Sequence, residues 1–506
     1  MQDKNFAERV LGGFSWIGAM SIVGSLSQFI VLIVLARLLS PTDYGMMTAM
    51  TIIISFAEIV WQIGVGPAIV QKKEVSKEDI ITAQSVTLIL GAIVFILVFM
   101  NSTSIIELIG VESKFMLQVL AVVFIINSIS AIPESLLHRN LEFKKIAIIE
   151  SVSYLFGFGV VSIILASIHY GVWALVMGQV SQVLIRMILL IKTSNHTIQK
   201  IKIYKKSISA LFNFGAGYTL ARLFNNIALQ ADYLVVSRVF GAEKLGEYNK
   251  SYQLMNFPAG LIGQVLDRVM FPVMSKMQGK QVEQKAAYVF STSTIGLVMF
   301  PLSAVLFVLS NEIILMLLGP SWESASTSFG ILVLFLYFRT AYKISDSLAQ
   351  SNGAVYRRAW RQLLYAVSVF IFTYSGSFYG IEGVAVGAGL AIVINYGSML
   401  VLSKKLIQFS YKSILVSHLP CFILSVLLLF ILQYINNEYL LIYPELIRII
   451  IIILIAIIIY VPVYIFVCLR FADKSTIDFY IAIIKILCKK SDYPIIYLTK
   501  LQKKFL

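Results

Sequence analysis

The chain has 506 residues, of which 58% are hydrophobic and only 13% charged, with a mean hydropathy of +0.85. Soluble domains carry about 25% charged and 45–50% apolar residues, so a soluble core is excluded. A formal net charge of +15 would suggest nucleic acid in a soluble protein; here no nucleic-acid partner is expected, because the charge is arranged as a topological signal.

A helix crosses the ~30 Å hydrocarbon core of a bilayer with about 20 apolar residues. Runs free of Asp, Glu, Lys and Arg occur at Val10–Ala36, Ile80–Ile106 and Phe115–Pro133. Ser151–Ile185 is too long for one helix, and His169-Tyr170-Gly171 is expected to break it into two. Further runs follow at Ala286–Asn311, Gln362–Ile381, Gly383–Ser403, Ser413–Asn437 and Ile449–Leu469. Spans near 44–66, 209–236, 250–274 and 326–348 carry embedded polar or ionisable groups. The expected fold class is thus an all-α polytopic membrane protein with fourteen transmembrane helices.

With the N-terminus inside, alternate segments hold about 30 of the 41 Lys and Arg residues, from Lys4 and Arg9 through 72–77, 139–145, 192–206, 276–285, 357–361, 404–412 and 470–504. The opposite loops hold five: Arg37, Lys114, Arg238, Lys244 and Lys250. The positive-inside rule then places both termini in the cytoplasm. Lys4 and Arg9 precede a long apolar run, so the first segment is expected to remain as an anchor rather than be cleaved. From 474 to 490 an apolar stripe beside Lys485, Lys489 and Lys490 reads as an interfacial helix of a basic cytoplasmic tail. Cys421, Cys468 and Cys488 are scattered and the four histidines lack ligand spacing, so neither a disulfide framework, a metal site nor a bound cofactor is expected. Gly383, Gly387 and Gly389 lie inside an apolar span and read as helix packing rather than a nucleotide loop.

The chain also echoes itself. Residues 36–45 (ARLLSPTDYG) resemble 237–246 (SRVFGAEKLG), and Lys144-Lys145 resembles Arg357-Arg358. The echoes suggest two parallel six-helix repeats, 1–206 and 207–405, around a central cavity. Two additional helices at 406–470 and the tail 471–506 complete the expected domains.

These stretches resemble the polysaccharide-transport (Wzx-type) exporters of the MATE-like flippase superfamily. The residues carrying the resemblance are Phe14 with Ala36–Gly45, then Gly64–Gln71 and Arg139–Lys145. Most specific are Asp232-Tyr233, Arg238, Gly241, Leu245-Gly246, Tyr248, Phe271-Pro272 and Ser275. The resemblance implies a flippase that carries undecaprenyl-diphosphate-linked oligosaccharides across a bacterial inner membrane for surface polysaccharide biosynthesis. Membrane lipids and polymerase or assembly proteins would be its partners.

Such a substrate needs a polar path, since each unpaired hydroxyl or amide stripped of water costs roughly 2–7 kcal/mol. Arg339, Lys343, Asp346 and Gln350 follow a 4-3-4 spacing and share one helical face. A charged side chain at mid-bilayer costs about 2.5–3.5 kcal/mol on insertion scales, so this face is expected to meet substrate. The competing reading is an internal network in which Asp346 neutralises Lys343. Arg222 shares a face with Tyr218 and Asn226 near mid-membrane and is a second candidate contact. Glu58, with Gln62 on its face, would carry a coupling proton or sodium ion, or simply pair an arginine. Asp267 and Arg268 could gate the cavity or form a local pair. Ser21, Ser25, Gln28, Asn127, Ser130 and Glu134 are softer candidates, and Arg186 is expected to snorkel to the headgroups. The spans 413–437 and 449–469 are read as apolar helices with no ionisable group inside and no counterpart in the repeat, which fits either a lipid-tail surface or padding.

Two alternatives compete with the flippase. Glu58 and Asp346 could serve an ion-coupled small-molecule exporter. A membrane glycan polymerase would be an enzyme, but the outer loops are short and gather no carboxylate pair. The expectation is therefore a transporter, not an enzyme.

Overall fold

A computed structural model of the chain describes residues 24–471, except 63, 73, 112 and 195–200. The side chains of 62, 206, 209–222, 265, 267–269, 272, 355 and 464–471 are outside that description. The expected interfacial helix in the tail and the start of the first span also lie outside the described residues. The described residues form helices and turns, with no β-strand among them.

Among the described residues, nine helices are individually long and apolar enough to span a membrane. They include α2 (Pro41–Gln62), α4 (Lys77–Met100), α6 (Lys114–Arg139) and α9 (Val172–Ser194). Between α6 and α9 lies one span built from α7 (Phe143–Val152), a π-helical stretch Ser153–Val160 and α8 (Val161–Ser167). The later ones are α11 (Gln281–Val308), α16 (Gly380–Ile407), α17 (Tyr411–Ile435, with the π turn that follows) and α18 (Glu445–Phe471). A tenth is a pair bent by 47°, α13 (Ala325–Val333) and α14 (Leu336–Ser351). The expected fourteen spans are consistent with these ten together with α1 (Gly24–Leu38), both arms of the 72-residue α10 (Lys205–Lys276), and α15 (Val355–Ser377). The arms of α10 meet at Gly241, whose φ of 81° and ψ of −175° break the helix.

Local sequence explains the helix starts. At α2, the Ser40 hydroxyl accepts from the Asp43 amide at 3.2 Å while Asp43 accepts from the Ser40 amide at 3.0 Å, with Pro41 at the first helical position. Ser76 and Asp79 repeat this reciprocal cap at α4. The break expected after Ser151 occurs where it was placed: α8 ends at Ser167, α9 starts at Val172, and His169 between them has a φ of 64°. Gly383 and Gly387 face the backbone of α15, as helix-packing glycines do.

The chain packs as two compact units. The first comprises Met1–Ser251, Leu317–Ala325 and Gln362–Ala388; the second comprises Tyr252–Met316, Ser326–Arg361 and Gly389–Leu506. Within the first, α6 packs on α4 and α9, with α2 against all three. Within the second, α11 packs on α14 and α17, and α17 on α18.

The first unit brings the two echoed loops together. A Cβ on Gly45 would fall on the carbonyl of Ala242, and one on Gly246 would fall on the carbonyl of Pro41. Positions 41 and 45 correspond to 242 and 246 in the echo, so the contact is reciprocal, as a two-fold relation demands. The arginines of the same motif are also exchanged. Arg37 Nε donates at 3.2 Å to the carbonyl of Leu317, the last residue of α12 (Ser310–Leu317). Arg238 Nη1 donates to the Glu107 carbonyl at 2.6 Å in α5 (Ser102–Ile109). Ser237 reaches the Ile109 carbonyl, and Trp322 Nε1 the Ala36 carbonyl at 2.7 Å. Each echo motif thus supplies donors for C-terminal carbonyls that its own helices leave unsatisfied.

Candidate functional site: a cationic face on α14

α14 is amphipathic. Leu336, Tyr337, Thr340, Ala341, Ile344, Ser345 and Leu348 are buried. On that buried side Ser345 bonds Tyr288 of α11 at 2.8 Å and Tyr337 bonds Tyr396 of α16 at 3.0 Å. These bonds fix the rotation of the helix and leave Arg339, Lys343 and Asp346 half-buried on the opposite side, with Gln350 exposed. The 4-3-4 stripe is therefore a real face.

Its members are individually positioned. Arg339 Nε donates to Asn256 Oδ1 at 3.2 Å, and its guanidinium carbon lies 5.8 Å from the centre of the Tyr252 ring. The Lys343 stem crosses Gly263, with Nζ 2.6 Å from where a Cβ would stand, so the lysine takes the space a side chain there would fill. Asp346 accepts from Arg358 Nη2 at 3.0 Å and from Gln350 Nε2 at 2.8 Å, and Arg358 Nε also reaches it. The charge that meets Asp346 is thus Arg358, twelve residues on, rather than the Lys343 of the network considered from sequence. Asn256 carries no spacing signal, and Arg358 is marked in the sequence only as a member of the echoed basic pair Arg357-Arg358.

In the first unit, Asn226 of α10 reaches α2, where its amide donates to Ser55 Oγ at 3.3 Å, one turn before Glu58. Glu58 is half-buried and Trp61 buried. The side chains of Arg222, Tyr218, Gln62, Asp267 and Arg268 lie outside the described residues, although the backbone at each is helical. Arg186, expected to reach the headgroups, pairs with Glu134 of α6 at 2.7 Å and approaches Glu150 of α7 at 4.0 Å. Among the described residues no group of His, Cys, Asp and Glu could hold a metal ion.

The two last helices also differ from expectation. Arg448, in the first turn of α18, forms a buried ion pair with Glu312 of α12, and Asn436 lies 3.3 Å from both partners. His418 of α17 is buried, bonded through Nδ1 to the Ile414 carbonyl at 2.7 Å and set edge-on to Tyr337 of α14 at 5.4 Å. The pair α17–α18 is therefore fastened to the second unit by polar groups, which a search for interior Asp, Glu, Lys and Arg overlooked.

Sequence and structure comparisons agree with this architecture. A family described as polysaccharide biosynthesis protein matches residues 34–327. The lipopolysaccharide biosynthesis protein WzxC of Escherichia coli (strain K12) is 24% identical over 423 residues, covering 81% of this chain and 84% of WzxC. The teichuronic acid biosynthesis protein TuaB of Bacillus subtilis (strain 168) is 24% identical over 389 residues, covering 74% of this chain and 78% of TuaB. The fold is that of the lipid II flippase MurJ in an inward closed conformation, with a TM-score of 0.74 at 19% identity over 89% of this chain and 98% of that one. An inward-facing multidrug resistance MATE transporter of the MOP superfamily gives 0.60 over 76% and 94%. With nine helices among the described residues able to span a membrane, a matching family over more than half its length and this fold, the chain is a multi-pass membrane protein that belongs to the polysaccharide biosynthesis protein family.

Proposed function

We propose that the protein flips undecaprenyl-diphosphate-linked oligosaccharide repeat units from the cytoplasmic to the outer leaflet of the inner membrane, by alternating access of two six-helix repeats, 1–206 and 207–405. The observation that carries this reading is the face of α14, where Arg339, Lys343 and the Arg358–Asp346 pair give an anionic head group a line of cations. Arg222 would add a contact from α10, and Asn226, Tyr218 and Gln350 would bond sugar hydroxyls. Relatives named for lipopolysaccharide, teichuronic acid and succinoglycan biosynthesis support a glycan cargo, and the fold shared with a lipid II flippase supports a lipid-linked one. The protein is a transporter rather than an enzyme, with both termini cytoplasmic and assembly proteins downstream.

The membrane potential would assist, since an anion leaving a negative interior gains about 2.3 kcal/mol per charge per 100 mV. A proton or sodium ion at Glu58, with Gln62 beside it, would couple the cycle, and Asp267 with Arg268 would gate it. The test is the location of lipid-linked repeat units in cells lacking the protein. Complete units accumulating on the cytoplasmic leaflet are the expected result; unpolymerised units on the outer leaflet, or unchanged pools, would overturn it. Lys343→Ala and Arg222→Ala should each abolish surface polymer with the protein still in the membrane. Near-normal polymer in both would remove these cations from the path.

A further inference from the structure

The first two turns of α15 carry Tyr356, Arg357, Arg358, Trp360 and Arg361. Arg358 is spent on Asp346, whereas among the described residues Arg357 and Arg361 meet no carboxylate. Arg361 donates only to carbonyls, Nε to Ser398 at 2.9 Å and Nη1 to Arg357 at 2.6 Å, which holds the two arginines one turn apart on one helix. Like charges at that spacing repel, and cations at a helix N-terminus oppose its dipole. The first turn has no acidic residue to offset them. Tyr356 and Trp360 stand out beside them, 92% and 71% exposed.

Topology does not require this arrangement. In the echo that aligns Arg357-Arg358 with Lys144-Lys145, Tyr356 corresponds to Phe143, Trp360 to Ala147 and Arg361 to Ile148. The helix α7 therefore begins with the same basic pair but has an isoleucine and an alanine where α15 has Arg361 and Trp360. Lysines make up 24 of the other 27 basic residues in the segments assigned to the cytoplasm, the arginines being Arg9, Arg139 and Arg470. Lysine suffices for general attraction to anionic headgroups, whereas paired guanidiniums suit bidentate binding of phosphate.

We infer that Arg357 and Arg361, flanked by Tyr356 and Trp360, form a landing site that takes the diphosphate of a polyprenyl-linked carrier from the inner leaflet. The inference rests on the proposed flippase function and adds a first station at the foot of the α14 face. The guanidiniums bind the two phosphates, and the exposed rings cover the first isoprene units. Arg358, next in sequence and already bonded to Asp346, marks the passage onto α14.

The full-length protein in phosphatidylcholine nanodiscs, titrated with undecaprenyl diphosphate and read by native mass spectrometry, tests this. Arg357→Gln/Arg361→Gln should weaken binding by about ten-fold or more, since each charged hydrogen bond lost removes a sizeable part of the affinity. Arg357→Lys/Arg361→Lys keeps the charge and serves as the folding control; it should lie between the two. Equal affinity in all three overturns the landing site while the flippase reading stands. Wild-type binding abolished by an equimolar excess of phosphatidylglycerol would make the arginines a general headgroup anchor and overturn it as well. No binding by any of the three proteins would remove both the landing site and the reading beneath it.

Discussion

Valine at Gly246 should abolish export while the protein remains in the membrane. The Cβ it introduces falls on the Pro41 carbonyl and within 3.0 Å of the Gly45 nitrogen, and backbone cannot yield as a flexible side chain can. The helices must part, at an overpacking cost of typically 1–3 kcal/mol. Gly45→Val acts on the equivalent crossing, against Ala242, and should give the same phenotype. The informative readout is labelling of a cysteine placed at Ala242, in a background with Cys421, Cys468 and Cys488 replaced. A membrane-impermeant thiol reagent applied from outside should modify it faster in the Gly45→Val protein than in the parent. Unchanged labelling with unchanged surface polymer would mean that this backbone crossing is not part of the transport cycle.

Arg448→Ala should produce the largest loss of stability of any single change in the last two helices. Glu312 is only 3% exposed and its Oε2 has no hydrogen-bond partner, so its charge is held almost wholly by Arg448, itself 14% exposed. Removing one member of such a pair strands the other in low dielectric and costs about 3–5 kcal/mol. Replacing both at once, as Glu312→Leu/Arg448→Met, removes the stranded charge and should recover most of the loss. Thermal stability in detergent, followed by fluorescence-detected size exclusion, reads all three proteins. A double variant no better than Arg448→Ala would place the effect in packing around Leu440 and Ile452, which lie in the apolar cluster between α11, α17 and α18.

Much of this was visible in the sequence for a simple reason. Lipid forbids unpaired charge, so runs free of Asp, Glu, Lys and Arg mark spans without reference to tertiary structure. The break at His169-Tyr170-Gly171 and the stripe Arg339–Gln350 followed from length and periodicity alone. Partners did not. Asp346 could be matched from spacing only with Lys343 on its own helix, whereas Arg358 reaches it across the turn into α15. Arg186 pairs with Glu134, 52 positions earlier, a partner that no spacing on its own helix announces. Arg448 stood just outside an uncharged run and so passed for a boundary residue. A helical wheel shows which face is polar, but not what another helix brings to it.

The exchanged arginines have a consequence for biogenesis. The Glu107 carbonyl, near the end of α5, receives its donor only when Arg238 has been synthesised, and the Ala36 carbonyl waits for Trp322. The first half of the chain therefore leaves the ribosome with these helix ends unfinished, and later residues complete them. Neither half is a self-sufficient folding module at that end.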